Sequence, residues 1–464
     1  MSTSVDRLTS LDQLMVAASR RWPQDIGALA ILDGTSLLDP SGELRIHAVR
    51  EVIASRLHLV PRFRQVIHRP RRGHGPPLWL DAARFDVRDH VVVRPLPPET
   101  DEPGLLAVTE ELRSERFDQS RPLWRMWFMP GLPNGRVAMF VKLHHAIADG
   151  MAAMMTIAAF LDADPDATLT PAPPWTPAPA PSEHDLLSDN VHQHLRAVGR
   201  AGSMLIRPGT TLRHAREAWP AIRELLAEEP ATRTSLDRMV GPDRSLAVIR
   251  ATLDEVKAAA HAHGATVNDV LLALTAGGLR RTLRGRGEPV HDITLRTYVP
   301  VSLRVQVGGP QQGNQIAQMA VPLPMGESDA GDELHRIATE TATRKARTRT
   351  SLGTLIPGRF ARKLMLYAVM RQRVNVTTAS IAGPPIPLYL CGARVREVFP
   401  VLPLIADEPL GVGALSYAGQ FDVGVVADRD AYPDLDVFLA GACEELVSLG
   451  VSPLTTPTVK EVGG

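Results

Sequence analysis

Residues Arg136 to Met155 read RVAMFVKLHHAIADGMAAMM, and the change of pattern inside that stretch organises the whole reading. An apolar, strand-like run ends in His144-His145, a short turn closes on Asp149-Gly150, and an apolar, helix-like run follows. Successive side chains on a strand point to opposite faces, so one histidine is expected to face the core and the other an opening. An imidazole with an ordinary pKa of about 6.5 can take a proton from a hydroxyl or thiol near neutral pH and return it to a leaving group. No Ser or Cys nucleophile motif accompanies the pair, so direct general-base activation of an acceptor alcohol is the chemistry it suits. The plainer alternative is two satisfied core histidines. Metal ligation by His144, His145 and Asp149 fits poorly, because adjacent strand residues diverge and the spacing is not the HExxH pattern that sets two imidazoles on one helix face.

Outward from this segment the chain alternates short strands and helices. Strands are expected at Ile26–Ile31 and His90–Val93, with helices at Leu44–Leu57 and Leu105–Phe117. Asp164 to Ser182 is dominated by Pro and Ala and has no apolar period, which predicts an extended, semi-rigid linker. Beyond it come a helical region over Asp185–Glu229, a strand at Ser245–Thr252, a helix over Asn268–Leu283, and strands near Ile293–Val299 and Gln315–Pro322. A polar helix is expected over Asp332–Arg349. Another over Arg359–Arg373 carries an apolar stripe edged by Arg, which suits a core-packing face and, as a second reading, a lipid surface. The boundaries give an N-terminal domain of residues 1–163, a crossover at 164–184 and a C-terminal domain of residues 185–464.

Composition narrows the function classes. The 464 residues carry 51 Lys+Arg against 51 Asp+Glu, so no basic excess points to nucleic acid as a partner. Cys391 and Cys443 are too few for a disulfide framework and form no CxxC pair, which suits a reducing, cytoplasmic compartment. The N-terminal residues have no apolar h-region, and no uninterrupted apolar run reaches the roughly 18 residues of a membrane span, so any lipid contact is expected to be peripheral. GxGxxG after a strand, GxxxxGK[ST] and GxSxG are all missing, which removes most support for nucleotide cofactors and serine hydrolysis.

His144 to Gly150, HHAIADG, resembles the HHxxxDG signature of CoA-dependent acyltransferases, a superfamily that includes chloramphenicol acetyltransferase and peptide-synthetase condensation domains. Further blocks, in order along nearly the whole chain, resemble the bacterial wax ester synthase/diacylglycerol acyltransferase family. They are LTSLDQL (Leu8–Leu14), VPRFRQ (Val60–Gln65), SRPLW (Ser120–Trp124), the Asn268-Asp269 pair in TVNDVLLA, VPVSLR (Val299–Arg304) and GNQI (Gly313–Ile316). One block departs: Ala379 to Pro384 reads ASIAGP where the family shows a SNVPGP-like stretch, so Ser380 replaces a common Asn and Ala382 a common Pro. Gly383-Pro384 keep the turn, while the channel lining is open to change.

The resemblance implies an α/β fold of two chloramphenicol acetyltransferase-like domains, each a mixed sheet with helices, with the active-site channel between them. It implies His145 as general base toward an alcohol attacking an acyl-CoA thioester, His144 as a packing or orienting residue, and Asp149 as a carboxylate that holds the loop by pairing with an Arg. Gly150 would let the backbone approach the acyl-CoA. Asn268 is the candidate oxyanion donor, and it equally suits a helix N-cap; Asp269 leans structural. Pro122, Leu123, Trp124 and Ser380 are candidate channel residues. Arg62, Arg64, Arg69, Arg71 and Arg72, or the cluster from Arg344 to Arg349, are candidate partners of the CoA phosphates. The implied reaction is acyl transfer to diacylglycerol or a long-chain alcohol, with acyl-CoA as substrate, no metal or redox cofactor, and a location at the membrane or lipid-droplet surface. Two rivals are an acyltransferase of the same fold acting on a specialised-metabolite hydroxyl or amine, and a non-catalytic lipid-surface protein. Oligomeric state is not legible.

Overall fold

The computed structural model describes residues 5–148, 150–206, 232–291, 293–302, 316–326, 329–352 and 374–454. The first part of the chain forms α1 (Ser10–Ala18), β1 (Asp25–Leu32), α2 (Ile46–Arg56), β2 (Gln65–His68), β3 (Leu78–Asp81), β4 (Val91–Val93), α3 (Glu102–Ser114), β5 (Trp124–Pro130), β6 (Val137–His144) and α4 (Gly150–Ala158). After the Pro-rich crossover come α5 (Glu183–Ile206), β7 (Arg244–Thr252), α6 (Leu253–Ala262), α7 (Val267–Gly285), β8 (Thr294–Ser302), β9 (Ile316–Pro324) and α8 (Ala330–Leu352). The chain closes with β10 (Val376–Ala382), β11 (Tyr389–Leu390), β12 (Ala393–Val401), β13 (Leu410–Tyr417), β14 (Gln420–Asp428) and α9 (Leu435–Ser448).

The described residues form two six-stranded sheets, β11-β12-β1-β6-β5-β4 and β7-β14-β13-β10-β8-β9, with β2 and β3 as a separate hairpin. The expected α/β architecture with two mixed sheets is therefore present. All eight residues of β6 are buried, as a strand flanked by β1 and β5 and covered on both faces requires. One face packs Val137, Met139, Val141 and Leu143 with residues of α2 and α4. The other packs Ala138 and Phe140 with Leu105, Leu106 and Leu112 of α3 and with Leu246, Val248 and Val426 from the second sheet. The two sheets thus share a hydrophobic core rather than merely touching.

The first sheet draws β11 and β12 from beyond the crossover. β12 pairs with β1 in antiparallel register, Leu29 opposite Phe399. On its other side the chain meets the second sheet: Val398 N–H donates to Asp422 Oδ2 at 2.8 Å, and Arg250 of β7 binds Glu102 of α3 at 2.5 Å and Glu397 of β12 at 3.1 Å. Contact is so close that a Cβ placed on Gly424 would lie 2.0 Å from the Pro400 carbonyl oxygen. Burial pushes the Asp422 carboxyl up to about 7.

Between Ala167 and Ser182 the crossover forms neither helix nor strand, as its composition predicts, yet it is fastened down. Asp162 exchanges both backbone hydrogen bonds with Tyr389 at 2.8 Å. Trp175 lies against the Arg64 guanidinium, 4.6 Å from its ring, and edge-on to Phe85. Ala178 N–H donates to Asp81 at 3.0 Å. The ring of Phe85 stacks on His90, His90 on Trp124 and Trp124 on Phe63, so the linker tryptophan ends a row of stacked rings. Of the helix expected over Asp185–Glu229, α5 accounts for the part to Ile206; the rest lies outside the described residues, as does the segment Arg359–Arg373.

Candidate functional site

The histidine pair ends β6. Register places His144 directly opposite Asp25 of β1, and His144 N–H donates to the Leu123 carbonyl at 2.9 Å. The next residue leaves the sheet: His145 sits in a turn, half-buried, with its N–H donating to the Gln24 carbonyl at 2.8 Å. His144, in contrast, is 5% exposed. Its Nδ1 accepts the Ala146 N–H at 3.0 Å and its Nε2 lies 2.7 Å from Ser19 Oγ. A backbone N–H can only donate, so Nδ1 is the bare nitrogen and the proton sits on Nε2, donating to Ser19. Ser19 Oγ in turn donates to the Met15 carbonyl at 2.9 Å. Burial, with His145 beside it, holds the His144 pKa down at about 4, so this ring is neutral at pH 7. One histidine faces the core and is spent on structure; the other is half-buried in the turn that follows the strand.

The face of β6 that carries His144 also carries Lys142, two residues earlier. Lys142 is 1% exposed and its ammonium donates to the carbonyls of Leu112 and Arg113 at 3.2 Å and to that of Glu115, closing the C-terminal end of α3, where a cation suits the helix dipole. Burial lowers its pKa to about 8, against the pull of Asp25 and Glu115. Asp25 shows the converse effect: burial lifts its carboxyl to about 6, opposed by Lys142. A groove of about 340 Å³ opens beside this face, edged by Pro122, Trp124, His90, Arg125, Phe117 and Lys142. Its charges are answered internally, Arg121 by Asp89 at 3.1 Å and Arg125 by Glu115 at 3.3 Å.

The other sequence candidates divide. Leu123 and Trp124 are 2% and 1% exposed. The Leu123 side chain is buried, and its carbonyl holds the His144 N–H. Trp124 stacks between Phe63 and His90 and donates Nε1–H to the Phe63 carbonyl at 2.8 Å, so its ring is a packing element whose edge meets the groove together with Pro122. Asp269 is also structural: Oδ2 accepts from the Thr266 N–H at 2.8 Å and hydroxyl at 2.7 Å, and Oδ1 accepts from Thr341 at 2.7 Å. Thr266, not Asn268, is the N-cap of α7, with Asp269 completing a capping box. Asn268 is thereby released from the cap reading; it is half-buried in the first turn of α7, and its amide makes no hydrogen bond to the described residues.

α7 packs on β10, and β10 meets α4, the helix that begins at Gly150. α4, which follows β6, and α7 are therefore linked through one strand. On β10, Ser380 is half-buried opposite Ala414, while its neighbour Ile381 packs into the cluster that holds Ala148, Ala153 and Ile157. Asp149 lies outside the described residues.

Among the candidate phosphate partners, Arg62 binds Asp6 at 2.7 Å and lies over the Trp79 ring, Arg64 lies over Trp175, Arg69 donates to Gln119 at 3.2 Å, and Arg71 binds Glu183 at 2.9 Å. Arg344 binds Glu340 at 2.5 Å; the side chains of Arg347 and Arg349 lie outside the described residues. Ser19, Gln24 and Asp25 were not among the sequence candidates, although a Thr9–Asp12 capping box signals the helix that delivers Ser19.

Among the described residues no helix is long and apolar enough to cross a membrane. Residues 8–271 match the model of the wax ester synthase/diacylglycerol acyltransferase catalytic domain, and residues 312–450 match that of the C-terminal domain of the same family. A putative diacylglycerol O-acyltransferase of Mycobacterium tuberculosis is 30% identical, with 88% of each chain covered. A probable diacylglycerol O-acyltransferase of the same organism is 29% identical, over 93% of this chain and 92% of the relative. Among solved structures, the wax ester synthase/diacylglycerol acyltransferase of Marinobacter aquaeolei superposes with a TM-score of 0.66 at 23% identity, covering 96% of this chain and all of that one. The starter condensation domain of rhizomide synthetase shares the fold with a TM-score of 0.60 at 14% identity, over 96% and 95% of the two chains. Two sheets sharing one core, a histidine pair at the end of a central strand and both family models together establish that this chain is an acyltransferase belonging to the wax ester synthase/diacylglycerol acyltransferase family.

Proposed function

We propose that the chain transfers the acyl group of a long-chain acyl-CoA to the free hydroxyl of diacylglycerol, with long-chain alcohols as second acceptors, and that His145 is the general base. The observation that carries the assignment of roles is the division within the pair: His144 is locked by Ser19 and Ala146 in one neutral tautomer, and His145 is the half-buried imidazole in the turn beyond it. His145 takes the hydroxyl proton as the alcohol oxygen attacks the thioester carbonyl. The tetrahedral intermediate carries a negative oxygen, toward which Asn268 would donate its amide N–H. Collapse breaks the carbon–sulfur bond, and the CoA sulfur takes the proton back from His145. Acyl-CoA enters as a substrate, so the balance needs no cofactor. Asp149 is proposed to hold the loop, and Gly150 to admit the acyl-CoA.

The acceptor follows from the curated relatives' names and is the part that Ser380 and Ala382 leave open to a different hydroxyl. Lipid acceptors imply work at a lipid surface. Leu187, Val191 and Leu195, four residues apart on α5, are exposed apolar side chains on one stripe and support peripheral contact. The test is release of CoA thiol from palmitoyl-CoA by the purified protein with diacylglycerol, hexadecanol or no acceptor, alongside His145→Ala. Acceptor-dependent release with a lipid ester found by mass spectrometry, lost in the variant, is the expected result. Release that ignores both acceptors, or survives without His145, overturns the proposal.

A further inference from the structure

We infer that Ser19 is a positioning residue for His145, acting as the hub of a hydrogen-bond ring that fixes both the imidazole of His144 and the main chain of His145. The inference rests on the reading of His145 as the base. Ser19 is the C-cap of α1, a helix whose start is held by the reciprocal Thr9–Asp12 capping box. Three hydrogen bonds converge there. Ser19 Oγ donates to the Met15 carbonyl at 2.9 Å, accepts from His144 Nε2–H at 2.7 Å, and accepts from Gln24 N–H at 3.3 Å. The carbonyl of that same Gln24 accepts from His145 N–H at 2.8 Å. The fifth link, Ala146 N–H to His144 Nδ1 at 3.0 Å, closes the ring on the far side of the pair.

Each link depends on the others' polarity. The hydroxyl has one proton, committed to Met15, so it meets both incoming N–H groups as an acceptor. It can accept from His144 only while Nε2 carries the proton, which is the tautomer that leaves Nδ1 bare for Ala146. Reversing the tautomer would set Nδ1–H against the Ala146 N–H. Residues on either side of His145 are thus pinned, one through its side chain and one through its peptide, and the turn between them has no slack. Gln24 is 3% exposed and ties its own Nε2 to the Trp22 carbonyl at 3.0 Å, so the loop from α1 to β1 is fastened at this residue. A general base must lie within hydrogen-bond reach of the proton it takes, and a displacement near 1 Å is costly.

The experiment is steady-state kinetics on Ser19→Ala and Ser19→Thr together with nitrogen NMR of the histidine rings. Ser19→Ala is expected to lower kcat about tenfold or more, with KM for acyl-CoA unchanged, and to disperse the single Nε2–H tautomer signal of His144. Ser19→Thr, which keeps the hydroxyl, is expected to restore kcat to within about twofold and to retain the tautomer. An Ala variant with unchanged kcat, or one whose loss matches only a smaller folded fraction while His144 keeps its tautomer, overturns the inference. If the Ala variant does not fold, the wild-type ring shifts decide: a protonated Nδ1 on His144 refutes the ring, and a bare Nδ1 supports it. His145→Ala runs in parallel. Full activity there refutes the general-base reading, while the tautomer of His144 still reports on the ring.

Discussion

Asp25 and His144 face each other directly across the β1–β6 pairing, and burial moves their protons in opposite directions, Asp25 up to about 6 and His144 down to about 4. A His pKa depressed on folding contributes stability that is present above its unfolded value of about 6.5 and is lost as pH falls toward 4. A raised Asp pKa contributes stability that is present below about 3.9 and is lost as pH rises through 6. The two contributions oppose each other over one window. Asp25→Asn therefore makes thermal stability fall more steeply than in wild type between pH 6.5 and pH 4, because the opposing contribution of Asp25 is gone and that of His144 remains. A difference curve of melting temperature against pH that is flat, or slopes the other way, refutes the pairing of effects.

Asn268 and Asp269 are neighbours with opposite expected phenotypes. Asn268→Ala should lower kcat roughly 10² to 10³-fold with the melting temperature unchanged, as loss of an oxyanion donor does. Asp269→Ala removes the partner of Thr266 and Thr341 and should cost about 1–2 kcal/mol of stability, with residual activity tracking the folded fraction. Equal effects from the two variants, in either property, would contradict this division.

Asp422 joins β14 to β12 through one oxygen, while its Oδ1 is buried with no hydrogen-bond partner among the described residues. Its pKa is raised to about 7, so its stabilising contribution belongs to acid pH and is lost as pH rises through 7. Asp422→Asn keeps an acceptor for Val398 and removes the charge. Denaturant unfolding at pH 8 should show a gain of roughly 1–3 kcal/mol, shrinking at pH 5; a loss at pH 8 would show that the charge is compensated.

Trp175 fastens the crossover to Arg64 and Phe85. Trp175→Ala should cost roughly 1 kcal/mol and expose the segment between Asp164 and Ser182 to proteolysis. Limited digestion followed by intact-mass analysis reads this directly, and a digestion rate equal to wild type would mean that the other fastenings suffice.

Gly424 faces the Pro400 carbonyl at the junction of the sheets, with no space for a methyl group. Gly424→Ala should destabilise by about 2 kcal/mol or more, since the obstacle is backbone and cannot swing aside. An unchanged melting temperature would mean that β12 and β14 can separate without cost.

Local pattern carried much of this structure. The apolar run before His144 became β6 with every residue buried, while the strand ends at His144, so His145 is placed by the turn that follows and not by alternation along the strand. Caps were legible too: Thr-x-x-Asp stands at Thr266–Asp269 as it does at Thr9–Asp12, and the reading of Asn268 as a cap passed over it. What the sequence could not show were partners brought together by folding. Ser19 and His144 are 125 positions apart, and nothing in either local pattern marks the other. The return of β12 to the first sheet was hidden for the same reason, because antiparallel pairing with β1 depends on register across most of the chain. The lone Trp175 in a Pro- and Ala-rich segment was a visible anomaly whose meaning needed its partners.

The insertion of β12 beside β1 has a consequence for how the protein is made. During synthesis the strands β1, β6, β5 and β4 leave the ribosome long before residue 401, so the newborn N-terminal portion can assemble its sheet only as far as β1. Until β12 arrives, β1 presents an open row of peptide groups, a template for any extended chain nearby. Chaperone demand, and the damage done by a ribosome that stops early, should therefore be concentrated in the interval between completion of β6 and emergence of β12.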